Sequence, residues 1–344
     1  MEDGMRSVKA AKVSGKGVIL RADLDLPLRQ AGVGQVEVAD DTRLKALLPT
    51  LKYLLDRGAK VIVIGHLGRP EGKRDPKLSL EPVAVRLQEL LRKRIEFFPE
   101  LPITNYQLPN IALLENLRFW DGEEKNDLGF AKKLAGLGDI FVNDAFAASH
   151  REHASIVEIP KHLPAYAGLR LEEEVKELGS VLVKPERPLI FIIGGAKTET
   201  KKPLVPAFAK IADKVLLGGL LMFSRELERI PNVVFPIDAK DAYDIGPKSV
   251  KFFTGIIKEA KTVVWNGPLG VWEKPRYARG TRMIAEELAL LPGKTIAGGG
   301  DTIAALNASG LASKISYVSL GGGAMLEFLA GKKLPGLVAL GHYD

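Results

Sequence analysis

The 344-residue chain contains no cysteine. That excludes disulfides, thiolate nucleophiles and cysteine-based zinc sites, and it fits a reducing compartment, so a cytoplasmic protein is expected. The five histidines form no HExxH or comparable metal pair. Long hydrophobic runs are missing too: the longest uncharged apolar one, Val215 to Phe223, is far too short to span a bilayer. The leading stretch MEDGMRSVKAAKVSGKG has no apolar core of signal-peptide length, so a soluble, unexported protein without a membrane partner is expected. Aromatic residues are scarce at 7%, and basic runs are no longer than Arg92–Lys93–Arg94. A nucleic-acid or polyanion binder would need basic stripes with stacking rings, so that reading is the weaker one. No GxGxxG follows the first strand, which counts against a nicotinamide dehydrogenase.

What is present is a net charge of +7 and an isoelectric point near 9.3, which call for an anionic partner. In PLIFIIGGAKTETKK, an apolar run from Leu189 to Ile193 stops at Gly194 and Gly195, and Lys197 and Lys201 follow. The run predicts a buried parallel strand and the polar segment the start of a helix, with both lysines on one helix face. Such a junction binds phosphate through bare backbone N–H groups and the positive helix end. Its spacing is not that of the Walker loop.

The same grammar of strand, polar loop and helix recurs. In the first half, GVILRADLDLP ends in Arg21, Asp23 and Asp25. DDTRLKALLPTLKYLLDRG then has helical apolar spacing, with Asp40 or Asp41 as N-cap and Arg43 in the first turn. KVIVIG runs into His66, Gly68 and Arg69, IALLE into Asn116 and Arg118, and DIFVND into His150, Arg151 and His153. Repeated strand–helix units make a parallel sheet with helices on both faces, and ligands bind such sheets at the carboxyl ends of the strands. Arg21, Arg43, Arg69, Arg118 and Arg151 should therefore gather on one rim, where guanidinium forks suit a compact ligand with phosphate and carboxylate groups.

AGLRLEEEVKELGSVL, Ala167 to Leu182, reads as a connecting helix. Beyond it the strand ends carry glycine instead of arginine: Gly194–Gly195, Gly218–Gly219, the Asn266–Gly267 end and Gly298–Gly300. Glycine brings backbone amides against a long polyphosphate. Asp301, after three glycines, is the natural magnesium ligand, because Mg²⁺ takes one or two carboxylates plus phosphate oxygens and water.

These motifs closely resemble the phosphoglycerate kinase family. The matching stretches are RADLDLP, DDTR with LLPT, HLGRP, LLENLRF, NDAF, HREHAS, GGAK with Lys201, DIGP, VWNGPLGVWE, GGGDT and SLGGGAMLEFLAGKKLPG, in the family's order over almost the whole chain. The resemblance implies an α/β fold of two Rossmann-like domains with parallel sheets, joined by a hinge helix, with a cleft between them. The implied ranges are 1–165 for 3-phosphoglycerate, 166–185 for the hinge, 186–326 for the nucleotide and 327–344 for a tail returning to the first domain. It implies reversible, Mg²⁺-dependent phosphoryl transfer between 1,3-bisphosphoglycerate and ADP, giving 3-phosphoglycerate and ATP, in a monomer. Carried over by position, Asp23, Asp25, Arg43, His66, Arg69, Arg118 and Arg151 would line the substrate site. Gly195, Lys197, Lys201, Gly218, Gly219, Glu273, Gly299, Gly300, Asp301 and Thr302 would serve the nucleotide, with Asp301 on the metal and Glu273 on the ribose. Arg43 and Lys197 are expected beside the transferring group.

Three departures stand out. Asp25 replaces the family's usual Asn, Leu320 its usual Thr, and the chain is shortened, strongly between Gly219 and Asp244 and slightly between Phe98 and Ile111. The larger trim falls where the family builds its wall against the adenine ring, which leaves ADP-versus-GDP choice open and admits a catalytically degenerate member as the alternative.

Overall fold

Apolar runs that end in arginine or glycine become two fully parallel sheets. The computed structural model describes residues 4–32, 35–101 and 109–343; most of the smaller trim, residues 102–108, lies outside them. The chain divides into two compact units, Met1–Glu174 with Lys333–Asp344, and Val175–Lys332.

In the first unit the strands are β1 (Gly17–Arg21), β2 (Leu28–Gly32), β3 (Gln35–Val38), β4 (Lys60–Ile64), β5 (Glu96–Phe98), β6 (Ile111–Leu114), β7 (Ile140–Asn143) and β8 (Ala165–Ala167). The helices are α1 (Thr42–Asp56), α2 (Glu81–Leu91), α3 (Asp121–Glu124), α4 (Leu128–Ala135) and α5 (Leu169–Val183), the last of which starts in this unit and continues past its boundary at Glu174. Six strands form one sheet in the order β5-β6-β4-β1-β7-β8, and β2 and β3 pair as a separate antiparallel hairpin that the sequence reading passes over. β1, β4, β6 and β7 are hydrophobic almost throughout because helices cover both sheet faces. On α1, Leu44, Leu47, Leu51 and Leu54 are buried, as their spacing predicts. From β1 the chain goes to β4 on one side and later to β7 on the other, so the sheet changes direction beside β1.

The second unit holds β9 (Leu189–Ile193), β10 (Lys214–Leu217), β11 (Val233–Val234), β12 (Ala239–Lys240), β13 (Asp244–Ile245), β14 (Thr262–Asn266), β15 (Lys294–Gly298) and β16 (Tyr317–Ser319). Its helices are α6 (Thr198–Lys201), α7 (Val205–Ile211), α8 (Pro247–Lys258), α9 (Arg279–Leu290), α10 (Gly300–Ala308) and α11 (Gly323–Leu329). The sheet order β11-β10-β9-β14-β15-β16 is that of a doubly wound nucleotide-binding sheet, with its switch point between β9 and β14. The shortened stretch folds as tight turns over 219–229, β11 and the small β12–β13 hairpin. The last helix, α12 (Pro335–Val338), belongs to the first unit, where Gly336 N–H donates to Ser149 O.

α5 starts in a clasp that no local pattern announces. Asp144, just past β7, accepts from Arg170 N–H and Leu171 N–H through Oδ1 at 2.9 and 3.2 Å, and Thr50 Oγ1 on α1 accepts from Leu169 N–H at 3.0 Å. Burial raises the Asp144 carboxyl to about 6, against the opposing hydrogen bonds from Thr50 and the helix amides. A carboxyl raised in the folded state stabilises fully below its unfolded value and loses that contribution as pH rises through about 6. Acidification from pH 7 to 4 should therefore add about 2 kcal/mol through this group. Asp144→Asn should lack that gain. A wild-type-minus-variant unfolding free energy that stays flat over this range would contradict the assignment.

Candidate active site

In the first unit the strand ends beside β1 carry the charged groups. Arg21 is not on the rim where its strand-end position puts it, for its side chain is fully buried. Nε donates to Ser155 Oγ at 2.8 Å, Nη1 to Ala22 O at 2.5 Å and Nη2 to His66 Nδ1 at 3.0 Å. Ser155 in turn donates through Oγ and N to the carboxylate of buried Glu123 at 2.6 and 3.0 Å. A guanidinium survives burial only when its charge and donors are answered, and Glu123 on α3 is the counter-charge.

Arg43 pairs with Asp23. This resolves the cation placed in a helix's first turn, since the anion beside it is the Asp23 carboxylate. Asp40 bonds Thr42 N–H at 2.8 Å, whereas Asp41, the N-cap residue, pairs with Lys45 and Arg86 instead. Asp25 accepts from Gly68 N–H at 2.9 Å, and Arg118 donates to Gly68 O at 2.6 Å, so the backbone of this one residue is gripped on both sides of its Cα. Gly68 has φ +62°, which only glycine adopts without strain. Arg118 is buried, with Nε 3.1 Å from Glu124. Asn116 holds this loop by bonds to Leu67, Leu78 and Arg118 N–H. Arg118 feels the charges of Arg151, Arg21 and Asp25. Arg151 is half-buried, and Arg69 is exposed directly after Gly68.

Two imidazoles in this cluster are neutral. Burial, then Arg21, Arg118, His153 and Arg43, push His66 well below the usual histidine range. Burial and the same kind of surroundings, led by Arg118, lower His153 to about 3. The positive charge of the site is carried by arginine.

In the second unit the glycines let strand ends touch. Gly194 N–H donates to Asn266 O at 3.0 Å, Gly195 N–H to Pro268 O at 2.7 Å, Gly218 N–H to Ile193 O at 2.9 Å and Gly219 N–H to Leu269 O at 2.9 Å. These amides are not bare, as the phosphate-cradle reading has them; they stitch β9, β10 and β14 together. Gly219 has φ +54°, and a Cβ there would lie 2.4 Å from Gly195 N.

The two lysines also differ from expectation. α6 has a single turn, with exposed Lys197 as its N-cap residue, while Lys201 turns inward to donate to Gly194 O at 2.7 Å and Asn266 O at 3.3 Å. Burial lowers Lys201 to about 8, with Asp301 opposing that shift and Lys197 adding to it. Thr302 is buried and accepts from Gly267 N–H at 2.7 Å, supporting the loop from beneath. Gly299 (φ +93°) precedes α10, whose first turn contains Gly300 and exposed Asp301. Glu273 is exposed, and Leu220 and Phe223 remain about half exposed at the start of the shortened stretch.

These strand ends give one unit arginines beside Asp23, Asp25 and His66, and the other a helix start, lysines and the exposed carboxylate of Asp301. The family model described as phosphoglycerate kinase matches residues 8–227 and 223–332, in two pieces that meet inside the shortened stretch. Phosphoglycerate kinase of Coprothermobacter proteolyticus is 41% identical over 391 aligned positions, covering 98% of both chains. Those positions outnumber the 344 residues present, so at least 47 of them have no counterpart here. Among solved structures, phosphoglycerate kinase from Pyrococcus horikoshii superposes with TM-score 0.85 at 29% identity, and that from Coxiella burnetii with 0.83 at 33%, each covering 98% of both chains.

Proposed function

The chain belongs to the phosphoglycerate kinase family and is a phosphotransferase, and on that premise we propose how its residues divide the work of moving a phosphoryl group between 1,3-bisphosphoglycerate and ADP. The observation that supports the division is the contrast between the two switch points, arginine in one and glycine, lysine and Asp301 in the other. Arg69, Arg118 and Arg151 hold the phosphate of 3-phosphoglycerate, with Asp23, Asp25 and His66 orienting its polar carbon end. Lys201, Gly299, Gly300 and the α10 start receive the nucleotide phosphates at the positive helix end. Gly195, Gly218, Gly219 and Thr302 shape that loop, and Glu273 takes the ribose.

Asp301 fits magnesium, because a single exposed oxygen donor beside a phosphate site is the donor set that ion accepts. Bound there, the ion would neutralise phosphate charge. The acceptor carboxylate is already ionised at neutral pH, so no general base is required, and positioning and charge stabilisation are the protein's task. Arg43 and Lys197 are assigned to the transferring group. Exclusion of water by hinge closure, a cytoplasmic location and a monomeric state belong to the same proposal; among the described residues no helix is long and apolar enough to cross a membrane.

The deciding assay is ATP formation from 1,3-bisphosphoglycerate and ADP with magnesium. For the substrate half, Arg151→Ala should weaken 3-phosphoglycerate binding by about 1.5–3 kcal/mol, the scale of a charged hydrogen bond, and leave ADP binding nearly intact. Unchanged 3-phosphoglycerate affinity by calorimetry would contradict the assignment of Arg151.

A further inference from the structure

Buried Arg21 is left unused by the division of labour above, yet every one of its three nitrogens is committed. Nε is held by Ser155 Oγ, itself tied to Glu123, and Nη1 by Ala22 O. That leaves Nη2 a fixed direction, and it meets His66 Nδ1 at 3.0 Å. A guanidinium has donors only and cannot give up its proton in a protein. Nδ1 must therefore offer its lone pair, and a neutral imidazole that accepts at Nδ1 carries its proton on Nε2. A doubly protonated ring would set two donors against each other at this distance. The surroundings add to that cost, because the charged groups facing the ring are Arg21 from β1, Arg43 from α1 and Arg118 from the turn after β6, with neutral His153 close by.

We propose that Arg21 is a positioning residue that fixes His66 as the neutral Nε2–H tautomer, so that the ring presents one hydrogen-bond donor, and no charge, to the anionic substrate. The chain from Glu123 through Ser155 and Arg21 to His66 is a relay of orientation in which no proton moves. It gives a buried arginine a part in substrate binding without contact. The use of the donor rests on the assignment of His66 to the 3-phosphoglycerate site; the tautomer itself does not.

The test is long-range ¹H–¹⁵N correlation of the histidine rings in the intact wild-type protein, with His66 assigned by its absence in His66→Gln. The expected result is an unprotonated Nδ1 and a protonated Nε2, unchanged from pH 5 to 8. An Nδ1–H tautomer, or a His66 ring that titrates between pH 6 and 7, overturns the proposal. In kinetics, Arg21→Lys keeps the charge and loses the fork. It should raise KM for 3-phosphoglycerate about tenfold or more at neutral pH, on the scale of one lost charged hydrogen bond. It should also make that KM pH-dependent between 5.5 and 7.5, with KM for ADP unmoved. In the His66→Gln background, where the side chain cannot titrate, the added pH dependence should vanish; its persistence would show that Arg21 acts otherwise. His66→Ala with unchanged 3-phosphoglycerate affinity would instead remove His66 from the substrate site, a failure separate from that of the tautomer.

Discussion

Replacing Lys197 by alanine should lower kcat about 10²–10³-fold while the dissociation constants of both substrates change much less. The reason lies in how differently the two lysines after Gly195 are held. Lys201 is anchored on two backbone carbonyls, so it supports the loop in addition to the phosphate role proposed for it. Lys197 stands exposed at the N-cap of a one-turn helix. In the proposed site the nucleotide has other support, from the α10 helix start and Asp301. A side chain of this kind adds little in the ground state. It contributes most when the transferring group spreads negative charge over its equatorial oxygens, and only interactions stronger in that state raise kcat. Rapid-mixing measurement of single-turnover rates alongside equilibrium binding separates the two effects. A loss shared equally between kcat and ground-state affinity would assign Lys197 to binding alone.

Acid should destabilise the first unit through His153. This ring is buried, 3.8 Å from Glu123, and held neutral at about 3. An unfolded histidine titrates near 6.5. A basic group whose folded value is depressed contributes its full stability above the unfolded value and loses it as pH falls toward the folded one. Between pH 7 and 4 the loss from His153 should be about 3 kcal/mol, a large share of the stability of an ordinary domain. His66, also depressed, acts in the same direction. Asp144 and Glu123, both raised by burial, act in the other, so the raw pH curve mixes opposing contributions. The informative quantity is the difference between wild type and His153→Gln in urea unfolding at each pH. It should shrink by about 3 kcal/mol on going from pH 7 to 4. A difference independent of pH would mean that the ring takes up its proton in the folded protein as readily as in the unfolded chain, and would remove the depression assigned to it.

Much of this protein is legible from its sequence because the determining forces are local. Apolar runs such as GVILR and LIFII bury on both faces whatever surrounds them, the leucine spacing of α1 sets its buried side, and strand–helix alternation allows little besides parallel sheets. The chemistry at strand ends follows from the same rule, so Asp23, Arg43, His66 and Asp301 could be named before any coordinates. The sequence did not reveal which charges face one another. Arg21 and Arg118 look alike on paper, each an arginine at a strand end. Only tertiary packing brings Glu123 and Ser155 beneath Arg21 and turns it into a buried support, because a buried charge goes where its distant counter-charge is. In the same way Lys201 turns inward because the Gly194 and Asn266 carbonyls, 72 positions apart in the chain, converge at one switch point. The clasp of Asp144 and Thr50 on α5 joins residues far apart in sequence. Hydrogen bonds between distant segments, and the protonation states they impose on buried groups, are properties of the assembled fold and leave no periodic trace in the chain.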